Sequence, residues 1–233
     1  MNVSAKKQRK AVQLYLQAVS SICISGTMAS YYTWYPYGKV REGFLGKAML
    51  ARKVKKEWGI SDTQTFLHRL GWYLNEGNRA PYDLIVRKLA LMSETQRQAY
   101  IAALPADQEQ ANRTRIAHFY LRKLPPGGIA ALDYAWYIHM CRVGSVLGYL
   151  NEAEARKRML KAARLLQQAY GSWNEYLGAC VAGHHFTLAN MSLDMTRTYF
   201  MYISLRFAGP NSPFRQVDWN VDLQGAYPID IIS

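Results

Sequence analysis

The sequence predicts an all-α fold: an irregular multi-helix bundle forming a single domain over residues 1–233, with an extended C-terminal tail. Three observations carry that expectation. Apolar residues recur at three- and four-residue spacing in one segment after another. Helix-start signals stand ahead of several of those segments. Hydrophobic alternation of period two is nowhere sustained, so no substantial sheet is expected.

The elements follow in order. Residues 5–25 form a first helix, with Val12, Leu16, Val19 and Cys23 recurring at i, i+4, i+7 and i+11. The same stretch has the layout of a secretory signal, with Lys6, Lys7, Arg9 and Lys10 ahead of apolar residues, but Gln13 and Gln17 interrupt the apolar run. An aromatic loop spans 30–40, and residues 42–57 form a second helix with a heavily basic end. Helices are expected over 62–76, stopped at Gly77, then 82–91, 94–103 and roughly 108–123. Pro125-Pro126-Gly127-Gly128 breaks the chain as a loop at 125–128. That break is read as internal to one domain, because the first half has too few long helices to close a core alone. Longer helices cover 129–147 and 152–170, a further one begins at 173, and the last runs across 191–207. The tail 209–233 is irregular. Ser61 with Gln64, Ser93 with Gln96 and Ser172 with Glu175 fit the capping box, and Asn151 with Glu154 is a weaker version.

Composition bounds the function. A chain of 233 residues buries a substantial core. Lys and Arg number 29 against 16 Asp and Glu, a net charge of +13 that attracts anionic partners. Three cysteines (Cys23, Cys141, Cys180) lie apart in apolar helical contexts, which reads as buried free thiols and a cytoplasmic protein. No apolar run approaches the ~20 residues that span a bilayer.

One stretch carries a likeness. Asp133 is followed by Gly148-Tyr149-Leu150-Asn151-Glu152-Ala153-Glu154-Ala155, then Ser172-Trp173-Asn174-Glu175-Tyr176, then Gly183-His184-His185-Phe186. Upstream stand Glu57-Trp58-Gly59-Ile60 and Leu70, Trp72, Leu74, Glu76 and Gly77. Downstream stand Ser212-Pro213-Phe214-Arg215 and Trp219. In this order the segments resemble a bacterial family, domain-of-unknown-function family 1266. The resemblance implies an all-helical fold and a bacterial origin, and brings no activity. The chain departs from the family pattern at His184 and Trp136, where arginines would be expected.

The residues that suggest chemistry are few. Asp133, Glu175, His184 and His185 are the catalytic candidates, as a general acid–base neighbourhood. Ser172-Trp173-x-Glu175 is otherwise explained as a helix cap with an aromatic anchored inside it. Cys180 and His184 share a helix face, but a zinc site needs three or four ligands and only His139 and Cys141 remain, on another helix. No metal and no cofactor are expected.

Charge and aromatics point instead to binding. The candidate cations are Arg52, Lys53, Lys55 and Lys56 on one helix and Arg156, Lys157, Lys161 and Arg164 on another. Further basic pairs stand at Arg113-Arg115 and Arg122-Lys123. Trp34 and Tyr35 head the aromatic candidates. Cations on phosphates with bases on rings would suit single-stranded nucleic acid, while Tyr, Trp and Arg also dominate protein interfaces. The expectation is a macromolecular interaction module engaging an anionic partner, an acidic protein surface or nucleic acid. The alternative is an enzyme or toxin-like effector acting on nucleotide or nucleic acid. The enzyme predicts the four catalytic candidates converging in a pocket. The module predicts them apart or packed, with the cations on one continuous face. A structural or chaperone-linked subunit predicts an exposed apolar patch.

Overall fold

The fold is all-α, and no strand forms among the described residues, which in this computed structural model are 3–24, 44–209 and 212–224. The helices are α1 (Val3–Ser21), α2 (Phe44–Trp58), α3 (Thr63–Asn75), α4 (Arg79–Ala90), α5 (Glu94–Ala102) and α6 (Glu109–Tyr120). After the Pro-Pro-Gly-Gly break come α7 (Ala130–Leu147), α8 (Glu152–Ala169), α9 (Trp173–Leu188), α10 (Leu193–Ala208) and the short α11 (Pro213–Gln216). The aromatic loop 30–40, with Trp34 and Tyr35, lies outside the described residues, as does the end of the tail.

Several starts follow the local chemistry. Ser93 Oγ accepts the Gln96 N–H at 3.3 Å while the Ser93 N–H donates to Gln96 Oε1 at 3.0 Å, a complete capping box. The box ahead of α3 sits one residue later than Ser61-Gln64. Asp62 accepts the Thr65 N–H at 2.8 Å and its own N–H donates to the Thr65 hydroxyl at 3.3 Å. A carboxylate outcompetes the neighbouring serine because it brings negative charge to the positive end of the helix. Ser172 Oγ accepts the Glu175 N–H at 3.2 Å, but the Glu175 carboxylate reaches past the cap to the Gly171 N–H at 2.7 Å.

α7 is the central helix. It packs against α1, α2, α3, α8 and α9, and is buried on nearly all sides from Ala130 to Val146. A helix apolar all round belongs in a core rather than on a surface. The principal core joins α1 (Val12, Tyr15, Val19) and α3 (Phe66, Leu70) to α7, α8 and α9, so both halves of the chain build it. Each fully buried Leu or Phe contributes roughly 1.5–3 kcal/mol. α3 lies so close to α7 that a Cβ on Gly144 would stand 2.3 Å from the Phe66 ring. A smaller cluster under α4, α6 and α9 gathers Tyr82, Leu89, Ile116 and Phe186.

The described part of the tail after α11, residues 217–224, is irregular yet seated on the core. Trp173 meets Trp219 at 4.8 Å between ring centroids and Phe214 at 5.0 Å, both edge-on, and Tyr15 of α1 closes the group. The indole N–H of Trp173 donates to the Val217 carbonyl, and that of Trp219 to the Tyr170 carbonyl. Ser172-Trp173 is therefore a cap followed by an anchor for the tail. The Pro-Pro-Gly-Gly loop is fastened too: Tyr170 Oη accepts the Ala131 N–H at 2.9 Å and lies 3.1 and 3.0 Å from the Gly127 and Gly128 carbonyls.

Candidate functional site

Asp133 stands on the first turn of α7 with its side chain fully buried. Its carboxylate accepts the backbone N–H of Asn78 at 2.9 Å and of Arg79 at 3.0 Å, the Asn78 amide at 3.3 Å and the Arg79 guanidinium at 3.4 Å. Asn78 makes no side-chain cap to α4, so an aspartate from another helix caps it. Burial pushes the Asp133 carboxyl above its usual range, and the Asn78 and Arg79 donors pull it back. Arg79 further donates to the Tyr73 and Leu74 carbonyls at the end of α3 and lies over the Tyr134 ring. The constellation clamps α3, α4 and α7 together.

Glu175 sits at the exposed N-terminus of α9, committed to the Gly171 amide. His184 and His185 lie near the other end of α9, roughly 14 Å along the axis at 1.5 Å per residue. His184 stacks on Tyr199 of α10, with Nδ1 2.7 Å from its hydroxyl. Burial, with His185 and Arg206 nearby, pushes His184 down to about 4. His185 meets the Tyr120 hydroxyl of α6 through Nδ1 at 2.8 Å and the Thr196 hydroxyl of α10 through Nε2 at 3.2 Å. Burial lowers its pKa as well. The two histidines thus join α9 to α6 and α10, with partners separate from those of Asp133 and Glu175. The four candidates do not converge on one pocket.

At the two positions that depart from the family pattern, Trp136 stacks with Tyr73 and meets Trp58 edge-on, and His184 takes Tyr199. The cation on Asp133 is Arg79. No local signal marks it, because Asn78 reads as an ordinary N-cap in the sequence and makes no side-chain cap in the structure. Cys141 and Cys180 are buried and Cys23 half-buried, all free thiols. Among the described residues no group of three His, Cys, Asp or Glu could hold a metal.

The candidate cations stand on α2 and α8, both of which pack against α7. Arg52, Lys53, Lys55 and Lys56 are all exposed on α2, whose one acid is Glu57, 4.0 Å from Lys53. On α8, Lys157 and Lys161 are exposed and Arg156 half-buried, while Nε and Nη2 of Arg164 are buried without a hydrogen-bond partner. Beside the end of α2 opens a groove of about 440 Å³ between Trp58, His68, Arg69 and Trp72, with the Arg69 guanidinium 5.6 Å from the Trp72 ring. A second groove, of about 490 Å³, runs along α6 past Arg115, His118, Phe119, Arg122 and Lys123 to Met191. The sequence marked Arg115, Arg122 and Lys123 as basic pairs but not the groove, whose residues come from α5, α6 and two connections. Apolar exposure is also present: α10 turns Leu193, Phe200, Met201 and Leu205 outward, Leu193 being 81% exposed.

Fold and surface together define a class: a basic, all-α protein with buried polar clamps between helices and cation-lined grooves outside. A family model described as "Protein of unknown function (DUF1266)" matches residues 53–219, and the chain belongs to that family. The match covers the clamp at Asp133, both histidines and the two grooves. No curated protein and no solved structure is matched by the chain. No helix among the described residues is long and apolar enough to cross a membrane.

Proposed function

We propose that the chain is a macromolecular interaction module engaging an anionic partner, an acidic protein surface or a nucleic acid. The observation that carries this reading is α2, where five exposed cations (Lys47, Arg52, Lys53, Lys55 and Lys56) stand against one acid beside a groove that holds two tryptophans. Elsewhere the acids Asp133, Glu94, Glu109 and Glu154 are already paired with Arg79, Arg97, Arg113 and Arg158. Positive charge is left over where it faces solvent, and such charge steers an anionic partner within about a Debye length of ~10 Å.

The nucleic-acid form of this reading is supported by the groove at Trp58, Arg69 and Trp72, where indole rings beside a cation suit stacked bases. The enzyme alternative would need Asp133, Glu175, His184 and His185 to act together, and each is committed to a different structural partner.

The test is equilibrium binding of the whole chain to single-stranded RNA, duplex DNA and an acidic peptide, at low and moderate salt. Binding that weakens steeply with salt, and weakens again in the triple variant Lys53→Glu, Lys55→Glu, Lys56→Glu, is the expected result. On nucleic acid each neutralised phosphate adds roughly 0.7–0.9 to the log–log salt slope. No binding to any polyanion at low salt overturns the proposal.

A further inference from the structure

We infer that the groove along α6 is a docking site for an acidic protein segment carrying an apolar anchor residue. This inference rests on the reading of the chain as a module for anionic partners and names the class of partner and the place.

The argument starts from charge. Of the residues lining the groove, Glu94 is the one acid, and it is already bound to Arg97. The Arg115 guanidinium is held by the carbonyls of Leu104 and Pro105 and the Asn112 amide oxygen, none of which carries charge. Arg122 and Lys123 are exposed at the rim, and the Lys123 ammonium stands 3.7 Å from the Phe119 ring centroid. The groove therefore presents several cations with one neutralised carboxylate among them. Complementary charge must come from outside.

The walls decide what kind of anion fits. Ile101, Leu121 and Met191 are aliphatic, and Phe119 is 45% exposed among them. Base stacking along a strand draws on several aromatic rings, and Phe119 is the one Phe, Tyr or Trp of this groove. An apolar side chain needs only a dry wall, which the aliphatic residues supply. Carboxylates flanking such a side chain would meet Arg115, Arg122 and Lys123 in charge-assisted hydrogen bonds.

The backbone positions one of these cations. Arg122 is held at φ +62°, in the left-handed region that non-glycine residues seldom occupy. This turn ends α6 just past its C-cap Leu121, and it sets Arg122 at the rim of the groove. Arg122 and Lys123 also line the next groove, of about 600 Å³, which continues past Pro125, Pro126, Gln167 and Gln168. The two grooves share these residues, so a segment crossing Arg122 and Lys123 has room on both sides.

The experiment is a fluorescence-anisotropy titration of the full chain with a short labelled peptide of Glu and Asp around one central Phe. The expected result is binding that drops about tenfold in Arg122→Glu, Lys123→Glu, a loss typical of interface hot-spot residues. It is expected to drop again when the peptide's Phe becomes Ser or its acids become amides, and less in the α2 triple variant. Arg122→Asn relieves the left-handed strain, so a higher melting temperature together with weaker peptide binding separates lost contact from lost stability. Peptide binding equal in the wild type and the Arg122/Lys123 double variant overturns the inference. Binding of oligouridine without binding of the peptide also overturns it, while leaving the wider reading intact. Failure of every polyanion to bind overturns both.

Discussion

A Cβ placed on Gly77 would lie 2.2 Å from Oδ2 of Asp133, so the clamp between α3, α4 and α7 closes only around a glycine. Gly77 also stands at φ +60°, where a side chain is strained whatever the space. Gly77→Ala is expected to cost more than about 3 kcal/mol, because it displaces a buried carboxylate and strands the amides of Asn78 and Arg79. Urea denaturation checks it: a fall in midpoint of less than about 1 kcal/mol equivalent would show that Asp133 has somewhere else to go.

Tyr170→Phe tests the fastening of the Pro-Pro-Gly-Gly loop. The variant keeps the ring and leaves the Ala131 N–H without its acceptor in a buried place. The expected cost is roughly 1–3 kcal/mol. Amide exchange should quicken at Ala131 first, and unchanged protection there would place its acceptor elsewhere.

α9 ends at Ala189, which holds φ +49° at the C-cap. Glycine adopts this conformation without the steric cost of a Cβ. Ala189→Gly is expected to stabilise by about 1 kcal/mol, a rise in Tm of roughly 2–4 °C at this chain length. A fall in Tm would show that the cap prefers its methyl group.

The pH dependence follows from His184, pushed down to about 4 mainly by burial. A histidine whose folded pKa is depressed binds its proton more readily in the unfolded chain. Stability is therefore present above ~6.5, the unfolded value, and is lost as pH falls toward 4. Between pH 7 and pH 5 the loss from this group is about 2 kcal/mol. His139, pushed down to about 3 by burial, and His185 act in the same direction. The urea midpoint of His184→Gln should fall less over that interval than the wild type's, and equal slopes would remove His184 from the account.

Helix positions were legible where the signal is local. Ser93 and Gln96 begin α5 as their spacing requires, and Ser172 caps α9. The stripe Val12, Leu16, Val19 of α1 is buried. α4 begins at Arg79 rather than at 82, because its cap is Asp133, 54 residues away. No window of sequence holds both ends of that bond.

The candidate site was legible in part for the same reason. Asp133, His184 and His185 stood out because polar groups in apolar helices need partners, and each has them: Asn78 and Arg79, Tyr199, and Tyr120 with Thr196. Which partner each takes, and that they form clamps between helices rather than one pocket, depends on how α9 and α7 lie against their neighbours. The sequence by itself determined the all-α fold, the positive charge and most helix starts, since those rest on residues a few positions apart. The tertiary structure alone decided the clamp at Asp133, the buried atoms of Arg164, and the groove that joins Arg115, Phe119, Arg122 and Met191. A cleft is a property of distances between elements, and those distances exist only after the chain has packed.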